Sequence, residues 1–524
     1  MSEVRSWRAH LPEDSTFEQA DLGAAGSLVR AWSSAWARTP DAPVLLDGDP
    51  GSPDTVAGHA HRVGAWWSGA ELEAATRRAA GRLVGAGLVP GDRLLWSTGS
   101  SAATLVVHIA ALRAGLVVVP ANTAYTAREI AHIVTDVQPA AAVIDDRRRG
   151  AWAQEAAEAA GGALTVFGPE LDAPDRDPGP LDASGPDDPA LIGFTSGTTG
   201  APKGAVLSHA NLLASVESVR MAWRWEPSDR LVHCLPVFHA HGLCVGVYGT
   251  LLSGASAVLL PGFEPGTMLD AAAEHSATLF FGVPTMYHRL AGSPRVGELR
   301  RLRLCVSGSA PLAAELHRRV SEASKQVVLE RYGMTETLMN VSNPYEGERR
   351  PGTVGFPLPG VEVTLAADDE ILVRGPNVFS GYWGRPEDSA ASFSPDPLGG
   401  RPWFHTGDLG AVSDDGYLSI LGRSKELIIS GGYNVYPAEV EAVLLGHPEV
   451  LDVAVTGTPS DEWGEVVTAW VVTADGGPAP GGLSEFAATR LAPYKRPRLV
   501  HVVGELPRNA LGKVVRAELH MRSE

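Results

Sequence analysis

Residues 71–145 alternate between two apolar patterns that decide the fold. The stretches ELEAATRRAAGRLVGAGL (71–88), TLVVHIAALRAG (104–115) and REIAHIVTDVQ (128–138) have helical spacing, and they are followed by the strand patterns RLLWST (93–98), LVVVP (116–120) and AAVID (141–145). Such alternation is typical of βαβ units in a mainly parallel sheet covered by helices. Further strand patterns at 277–281 and 302–306 indicate a second sheet. We therefore predict two α/β sheets in one large body.

Composition limits the kinds of partner. The 524 residues include 61 acidic and 43 basic side chains, for a formal net charge of −18, which argues against nucleic acid as the main partner. Cys234, Cys244 and Cys305 are too few and too scattered for a disulfide framework or a four-ligand zinc site, which favours a reducing cytosol.

The sequence also predicts where the protein resides. The most lipid-like stretch, 102–119, is interrupted by His108 and Arg113, so we expect a buried helix and strand there and no membrane partner. The polar N-terminal residues lack the apolar region of a secretory signal, so we expect no leader. Together these features predict a cytoplasmic location.

Changes in composition predict the domain organisation. Residues 169–189 are rich in Pro, Asp and Gly and should form an exposed connector. From Val361 onward, short strands and turns predict a small β-barrel, and the last hundred residues read as a compact α+β module. We place the boundary near 422–426, which gives a large N-terminal domain (1–422) and a small C-terminal domain (423–524).

The first chemical feature is the loop TSGTTGAPKG at 195–204, which follows an apolar strand pattern. Its glycines, hydroxyl groups and Lys203 can surround a polyphosphate with N–H groups and positive charge. The spacing is not that of a Walker loop, because Pro202 stands where the second glycine should be. We expect the chain to pass from strand to loop to helix here. A flexible surface loop is the alternative interpretation.

Five ordered motifs resemble the signature of the adenylate-forming superfamily of acyl-CoA synthetases, luciferases and peptide-synthetase adenylation domains. They are TSGTTGAPKGAVLSH (195–209), RYGMTE (331–336), TGD (406–408), GRSKEL (422–427) and PRNALGK (507–513). The resemblance implies an ATP-dependent reaction with Mg²⁺ in which an acid becomes an acyl adenylate and then a thioester of coenzyme A. It also implies that the C-terminal domain is mobile.

The resemblance implies roles for individual residues. It places ATP or AMP against Thr195, Ser196, Gly197, Thr198, Thr199, Gly200, Ser309, Ala310, Pro311, Arg331, Tyr332, Gly333, Met334, Thr335, Asp408 and Arg423. The implied catalytic residues are Lys203, Glu336 and Lys513, with Glu336 as the Mg²⁺ ligand, Lys425 as the hinge, and Ser430, Gly431 and Gly432 on coenzyme A. Charge supports these roles, since a carboxylate that attacks a phosphate needs cations nearby. Considered singly, Glu336 and Lys513 would more often be solvated surface groups.

The segments at 238–243, 281–289, 306–310 and 333–339 are most similar to those of malonyl-CoA synthetases. The implied acyl-binding residues are His239, His241, Val306, Ser307 and Met339. A second carboxylate needs a buried cation, for which Arg303 is our first candidate and Arg289 our second. Either arginine could instead be a solvated group near a helix end. Bacterial members of this subgroup often have a basic residue where this chain has Gly262, which leaves a substituted malonate or a monocarboxylate open.

The sequence therefore predicts an ATP-dependent acid–CoA ligase for malonate or methylmalonate. Two alternatives within the superfamily are a ligase for a short- or medium-chain monocarboxylic acid and an adenylating enzyme that loads a carrier-protein thiol. A non-catalytic nucleotide-binding regulator is a third possibility, against which the presence of Lys203, Glu336, Asp408 and Lys513 argues.

Overall fold

The computed structural model describes residues 7–12, 22, 26–48, 55–62, 64–195, 202–396, 399–460, 462–474, 477–508 and 513–519. Helices α1 to α14 span Leu28–Arg38, Gly69–Gly85, Ala102–Arg113, Ala127–Val137, Arg147–Ala159, His209–Ala222, Tyr248–Ser253, Pro265–Glu274, Pro284–Ala291, Ala314–Ser324, Pro386–Ala391, Pro437–Leu445, Pro480–Ala488 and Arg516–Leu519. Shorter 3₁₀ turns span Trp7–His10, Val296–Arg301, Ser424–Glu426 and Pro493–Lys495, and a π-helical segment spans His241–Val247.

Strands β1 to β28 supply the sheets. They span Pro43–Asp47, Thr55–Val56, His59–Ala60, Trp67–Ser68, Arg93–Ser97, Val117–Pro120, Ala141–Ile144, Thr165–Phe167, Pro189–Thr195, Lys203–Ser208, Arg230–His233, Ser256–Leu259, Leu279–Gly282, Leu304–Ser307, Leu329–Met334, Leu338–Ser342, Phe356–Pro357, Glu362–Leu365, Glu370–Arg374, Gly381–Tyr382, Phe393–Ser394, Trp403–Val412, Leu418–Arg423, Ile428–Ser430, Tyr433–Val435, Val450–Ser460, Gly464–Thr473 and Leu499–Val502.

Two large sheets form the N-terminal body, which confirms the predicted fold class. One has nine strands in the order β17-β16-β15-β14-β13-β11-β12-β1-β4, and the other has seven in the order β20-β10-β9-β6-β5-β7-β8. Their central strands are parallel, as helical crossovers require, whereas β4, β16 and β17 in the first and β10 and β20 in the second are antiparallel. Each helix and strand pattern between 71 and 145 appears at its predicted place.

Helix α3 lies at the centre of the body, with every residue buried. Its large polar side chains have partners: Arg113 pairs with Glu73 and Asp182, and His108 Nε2 shares a 2.7 Å hydrogen bond with the Tyr248 hydroxyl, although His108 Nδ1 has no hydrogen-bond partner among the described residues. Buried polar side chains persist because they have such partners. The lipid-like stretch is therefore core, and none of the described helices is long and apolar enough to cross a bilayer.

The region of the glycine- and threonine-rich loop contains one strand more than the predicted order of strand, loop and helix. Strand β9 returns as the antiparallel strand β10, with Lys203 opposite Thr195, and α6 begins only at His209. The short run Ala205–Val206–Leu207 is apolar enough to be buried beside β9, and β20 pairs with its other edge. The loop therefore joins two strands of a hairpin; residues 196–201 lie outside the described residues.

Two smaller sheets follow. The predicted barrel is an open antiparallel sheet in the order β18-β19-β22-β21, with β23 also paired to β22. The C-terminal sheet has the order β25-β24-β27-β26, with β28 parallel to β27. Its helices α12 and α13 pack on this sheet through a hydrophobic cluster of their own, which includes Val440, Leu444 and Leu483. The predicted domain limits, 1–422 and 423–524, remain a prediction.

Candidate active site

A cavity of about 550 Å³ lies where β9, β10, β15, the π-helical segment, β22 and β23 meet Lys513. Pockets of this size commonly hold small-molecule substrates. Predicted site residues that line it are Thr195, Lys203, His239, His241, Ser309, Arg331, Gly333, Met334, Thr335, Glu336, Met339, Arg423, Lys425 and Lys513. The structure thus brings together residues that are more than 300 positions apart in the chain.

At one end of the cavity, Arg423 lines the wall and joins Asp408 and Tyr332, which lie behind it and do not line the cavity. The antiparallel pairing of β22 with β23 sets Asp408 opposite Arg423. The guanidinium Nε lies 2.7 Å from Asp408 Oδ1, and the Tyr332 hydroxyl donates a 2.5 Å hydrogen bond to Oδ2. Burial raises the pKa of Asp408, and Arg423 and Tyr332 oppose that shift. A carboxylate held in this way can accept hydrogen bonds from a diol such as ribose.

Glu336 is the second buried carboxylate, with 5% of its surface exposed. The Tyr382 hydroxyl donates a 3.0 Å hydrogen bond to its Oε1. Burial raises the pKa of Glu336, and this bond opposes the shift. Within the described residues, no cluster of three or more His, Cys, Asp or Glu side chains could hold a metal ion. The fit is therefore to Mg²⁺, which needs only one or two carboxylates when phosphate and water supply the remaining ligands.

Lys203 lies beside Tyr382, the hydrogen-bond partner of Glu336. Its ammonium is 2.7 Å from Asp388 Oδ1 and 5.3 Å from the centre of the Tyr382 ring. Neither Tyr382 nor Asp388 was predicted, because the contacts join β20 and α11 to residues 46 and 185 positions earlier in the sequence. No local pattern marks such contacts.

Lys513 brings a third cation to the cavity from the C-terminal region. Loss of hydration at its ammonium lowers its pKa and Arg423 and Arg331 lower it further, whereas Asp408 and Glu336 raise it. Nearby, Arg516 pairs at 2.8 Å with both Glu426 and Glu441. These two ion pairs fix the segment that follows Lys513 to the 3₁₀ turn that contains Lys425 and to α12.

His239 and His241 line the opposite end of the cavity. Burial lowers the pKa of His239 to about 3 and that of His241 well below its ordinary value. Both imidazoles are therefore neutral near pH 7 and supply no positive charge. The Ser309 hydroxyl lies 3.4 Å from His241 Nδ1, so this end offers polar but uncharged groups around Arg331.

Arg331 is the charged residue at this end, and only 4% of its surface is exposed. Its Nε and Nη2 atoms are buried and have no hydrogen-bond partner. Burial lowers its pKa to about 9, so the guanidinium keeps its charge at neutral pH. A Cβ atom added to Gly308 would lie 2.3 Å from the Arg331 Cζ, which shows how closely the guanidinium packs on the backbone at the end of β14.

The structure corrects both of our candidates for a carboxylate-binding arginine. Arg303 forms an ion pair with buried Asp229 and donates to the carbonyls of Trp223 and Arg224. Arg289 donates to the Phe263 carbonyl at 3.0 Å. Neither side chain lines the cavity. The Arg303 guanidinium is occupied by the protein itself and Arg289 is exposed outside the cavity, which adjacent sequence could not reveal.

The other predicted residues fall into three groups. Ala310 and Pro311 are exposed beside Ser309, and Val306 and Ser307 are buried within β14 and do not line the cavity. Gly431 and Gly432, with φ of 58° and 81°, form the tight turn between Ser430 and Tyr433, also away from the cavity wall. Ser196, Gly197, Thr198, Thr199 and Gly200 lie outside the described residues.

This fold and cavity correspond to a class of enzymes that activate an acid with a nucleotide. Comparison with known families agrees: the chain belongs to the family described as AMP-binding enzyme, whose model matches residues 32–383. The model of the AMP-binding enzyme C-terminal domain matches residues 439–513.

The activities named for similar proteins narrow the reaction to the ligation of an acid to coenzyme A. A feruloyl-CoA synthase from Amycolatopsis is 39% identical over 469 residues, which cover 86% of this chain and 93% of the relative. The ATP-bound structure of MatB from Rhodopseudomonas palustris is 39% identical, with a TM-score of 0.84 over 94% of this chain and 98% of that one. The protein is an AMP-forming acid–CoA ligase.

A second solved structure informs the arrangement of the chain. It is a malonyl-CoA ligase ternary product complex with methylmalonyl-CoA and AMP bound, also 39% identical, covering 94% of this chain and 100% of that one, with a TM-score of 0.62. Identity and coverage are nearly those of the ATP-bound structure, yet the similarity in shape is lower. The arrangement described here therefore resembles the ATP-bound one more closely.

Proposed function

We propose that this ligase acts on a small dicarboxylic acid of the malonate or methylmalonate type, with ATP, Mg²⁺ and coenzyme A. The observation that carries the proposal is that buried Arg331 and the ammonium of Lys513 border one cavity whose two histidines are neutral. A dicarboxylate supplies one negative charge for each of these cations, whereas a monocarboxylate supplies none for the buried guanidinium.

In the first half-reaction, a carboxylate oxygen of the acid attacks the α-phosphorus of ATP. A new acyl–phosphate bond forms, the bond to the β-phosphate breaks, and pyrophosphate leaves. Lys513 stabilises the charge shared by the carboxylate and the α-phosphate, and Lys203 stabilises the departing pyrophosphate. A magnesium ion held by Glu336 would neutralise further phosphate charge. Asp408 and Arg423 hold the ribose and thereby orient the α-phosphate.

In the second half-reaction, the thiol of coenzyme A releases its proton to solvent and its sulfur attacks the acyl carbon. The acyl–phosphate bond breaks, a thioester forms and AMP leaves. We assign the approach of the thiol to a rotation of the C-terminal domain about Lys425, in the 3₁₀ turn between β23 and β24. Ser430, Gly431 and Gly432 would then present backbone to coenzyme A. A small-residue turn suits such close approach.

An aromatic or other monocarboxylic acid is the second candidate. Phe238, Leu243, Leu338 and Met339 form an apolar part of the cavity wall, and the feruloyl-CoA synthase relative is as similar in sequence as the malonyl-CoA ligase. Apolar walls of this kind favour a ring or an alkyl chain. Identity alone therefore does not decide between the two classes of acid.

Exchange of labelled pyrophosphate into ATP tests the proposal. The panel contains malonate, methylmalonate, succinate, propionate, butyrate, hexanoate and ferulate, and acyl-CoA formation from free coenzyme A is measured for each active acid. We expect the highest kcat/KM for malonate or methylmalonate and a CoA thioester as product. A preference for ferulate or an alkanoate would overturn the choice of acid. Exchange without thioester formation would instead favour a carrier-protein thiol as acceptor.

A further inference from the structure

An acidic residue of α11 holds Lys203 from outside the cavity. Lys203 lines the cavity, whereas Asp388, whose carboxylate lies 2.7 Å from the ammonium, does not. The two side chains are 35% and 38% exposed. Ion pairs at such exposed positions contribute little net stability, because water competes for both charges. The pair can therefore open when a more highly charged anion reaches Lys203 from the cavity side.

The Asp388 carboxylate has a second cation nearby. Arg385 Nη1 lies 3.8 Å from Asp388 Oδ2, and Nη2 of the same guanidinium lies 3.4 Å from Asp136 Oδ1. Asp388 also lies in the first turn of α11, where the helix dipole favours a negative charge. Lys203 and Arg385 hold the pKa of Asp388 below its ordinary value. A carboxylate with these neighbours stays ionised when Lys203 binds another anion.

The pairing of β10 with β20 explains why Asp388 lies so close to Lys203. Tyr382 of β20 stands opposite Ala205 of β10. The Tyr382 amide donates a 2.8 Å hydrogen bond to the Ser389 hydroxyl, which fixes α11 to the end of β20. The Tyr382 ring centre also lies 5.3 Å from the Lys203 ammonium. The carboxylate is therefore part of a fixed wall, and the flexible lysine side chain is the group that can change partners.

We propose that Asp388 is a positioning residue that competes with pyrophosphate for Lys203. It holds the ammonium before ATP binds, Lys203 moves to the β- and γ-phosphates during adenylation, and Asp388 takes the ammonium back as pyrophosphate leaves. Its negative charge also repels a polyphosphate at short range. The inference rests on the role proposed for Lys203 and deepens it, because it assigns the release of the first product to a named residue.

The test measures the affinity for inorganic pyrophosphate at a fixed concentration of Mg²⁺. Its inhibition constant in acyl-CoA formation and its dissociation constant by calorimetry are determined for the full-length wild type, Asp388→Asn, Asp388→Glu and Lys203→Met. Glu387→Gln is the matched control, because Glu387 is an exposed acid in the same helical turn and its replacement removes the same charge. Single-turnover adenylation and thermal unfolding are measured for each variant.

The expected result is tighter binding of the product. Asp388→Asn should lower both constants for pyrophosphate about five- to tenfold, because it removes a competing anion and leaves Lys203 in place. It should not slow single-turnover adenylation. Asp388→Glu keeps the charge and should stay close to the wild type, and Glu387→Gln should change neither constant. In the double variant Lys203→Met/Asp388→Asn, replacing Asp388 should have no further effect, because the carboxylate acts through the ammonium.

Two outcomes for Asp388→Asn overturn the inference. Unchanged constants mean that the ion pair is a surface contact without a role in product release. Weaker binding of pyrophosphate together with slower adenylation means that Asp388 orients Lys203 toward phosphate and does not compete for it.

Lys203→Met distinguishes these failures from a failure of the proposed function. It should weaken the binding of pyrophosphate about 10-fold or more, because it removes a cation from a polyanion. If the binding of pyrophosphate does not change, Lys203 does not hold the leaving group, and the role proposed for Lys203 is wrong whatever Asp388 does.

Discussion

The two ends of the cavity differ in how their charges are balanced. At the nucleotide end, Asp408, Arg423 and Tyr332 satisfy one another within the protein. At the end that we propose for the acid, Arg331 is buried near two neutral histidines and forms no ion pair with a carboxylate of the described residues. A cluster whose charges balance one another is preorganised, and burying it costs little free energy. A cluster with an unbalanced charge is completed by its ligand. With the roles proposed above, holding a nucleotide and selecting an acid place opposite demands on the same cavity.

The largest expected effect comes from Lys513, which lies between the two ends. Lys513→Ala should reduce adenylation about 100- to 1,000-fold, because it removes a donor that stabilises charge in the transition state. Thioester formation from supplied acyl adenylate and coenzyme A should change less than about threefold, since that step needs no attack on phosphorus. Pyrophosphate exchange and thioester assays measure the two steps separately.

Lys495→Ala provides the matched control, because Lys495 lies in the same C-terminal region and pairs only with Glu439 among the described carboxylates. It should leave both steps unchanged. Equal loss of both steps in Lys513→Ala would contradict the division of labour between the half-reactions.

Replacing Arg303 tests the role of an arginine that, unlike Arg331, is paired with a carboxylate of the described protein. Arg303→Met should lower the free energy of unfolding by about 2–4 kcal/mol, because it strands the Asp229 carboxylate, of which only 4% is exposed. The ratio of kcat/KM for malonate to that for propionate should not change. Urea unfolding and the exchange assay give the two readings, and a selective loss with malonate would return Arg303 to the acyl site.

The smallest expected effect is a change in the pH dependence of stability when Glu330 is replaced. Glu330 directly precedes Arg331 in β15, so the two side chains point to opposite faces of the sheet. Burial raises its pKa to about 8, although the Leu312 amide donates a 2.9 Å hydrogen bond to its Oε1. The folded protein therefore holds a proton that the unfolded chain releases near its ordinary pKa of 4.5. This stabilisation is complete below pH 4.5 and is lost as the pH rises through 8.

Glu330→Gln keeps an oxygen acceptor for Leu312 but cannot ionise. Its melting temperature should therefore fall less than that of the wild type between about pH 6 and about pH 9. Differential scanning calorimetry at three pH values makes the comparison. Parallel curves for the two proteins would show that Glu330 does not carry a displaced pKa.

Much of the fold follows from local sequence, because helix and strand periodicity is a local property. The patterns of α2, β5, α3 and β6 predicted those elements, and the five motifs predicted that Lys203, Glu336 and Lys513 would share a site, as the cavity lining shows. Strand β10 was missed because its apolar run is only three residues long and is stabilised by β9 and β20.

Arg303 and Arg331 show what local sequence patterns could not predict. The sequence predicted Arg303 as a carboxylate-binding residue and Arg331 as a nucleotide-binding residue, and no local feature reveals which one has a partner within the protein. Asp229 lies 74 residues before Arg303, and only the folded sheet brings them together. Charge compensation is a tertiary property, so the choice of a substrate-binding cation required the structure.

Gly308 is a position at which a substitution can alter the cavity without replacing an ionisable residue. A single methyl group at this position would fall within 2.3 Å of the Arg331 Nε and Cζ atoms, so the guanidinium would have to move. Two homologues with identical lysines, arginines and carboxylates could thus differ in the acid that they accept because one of them has alanine at this position. Surveys that classify such enzymes by their charged residues alone would group them together.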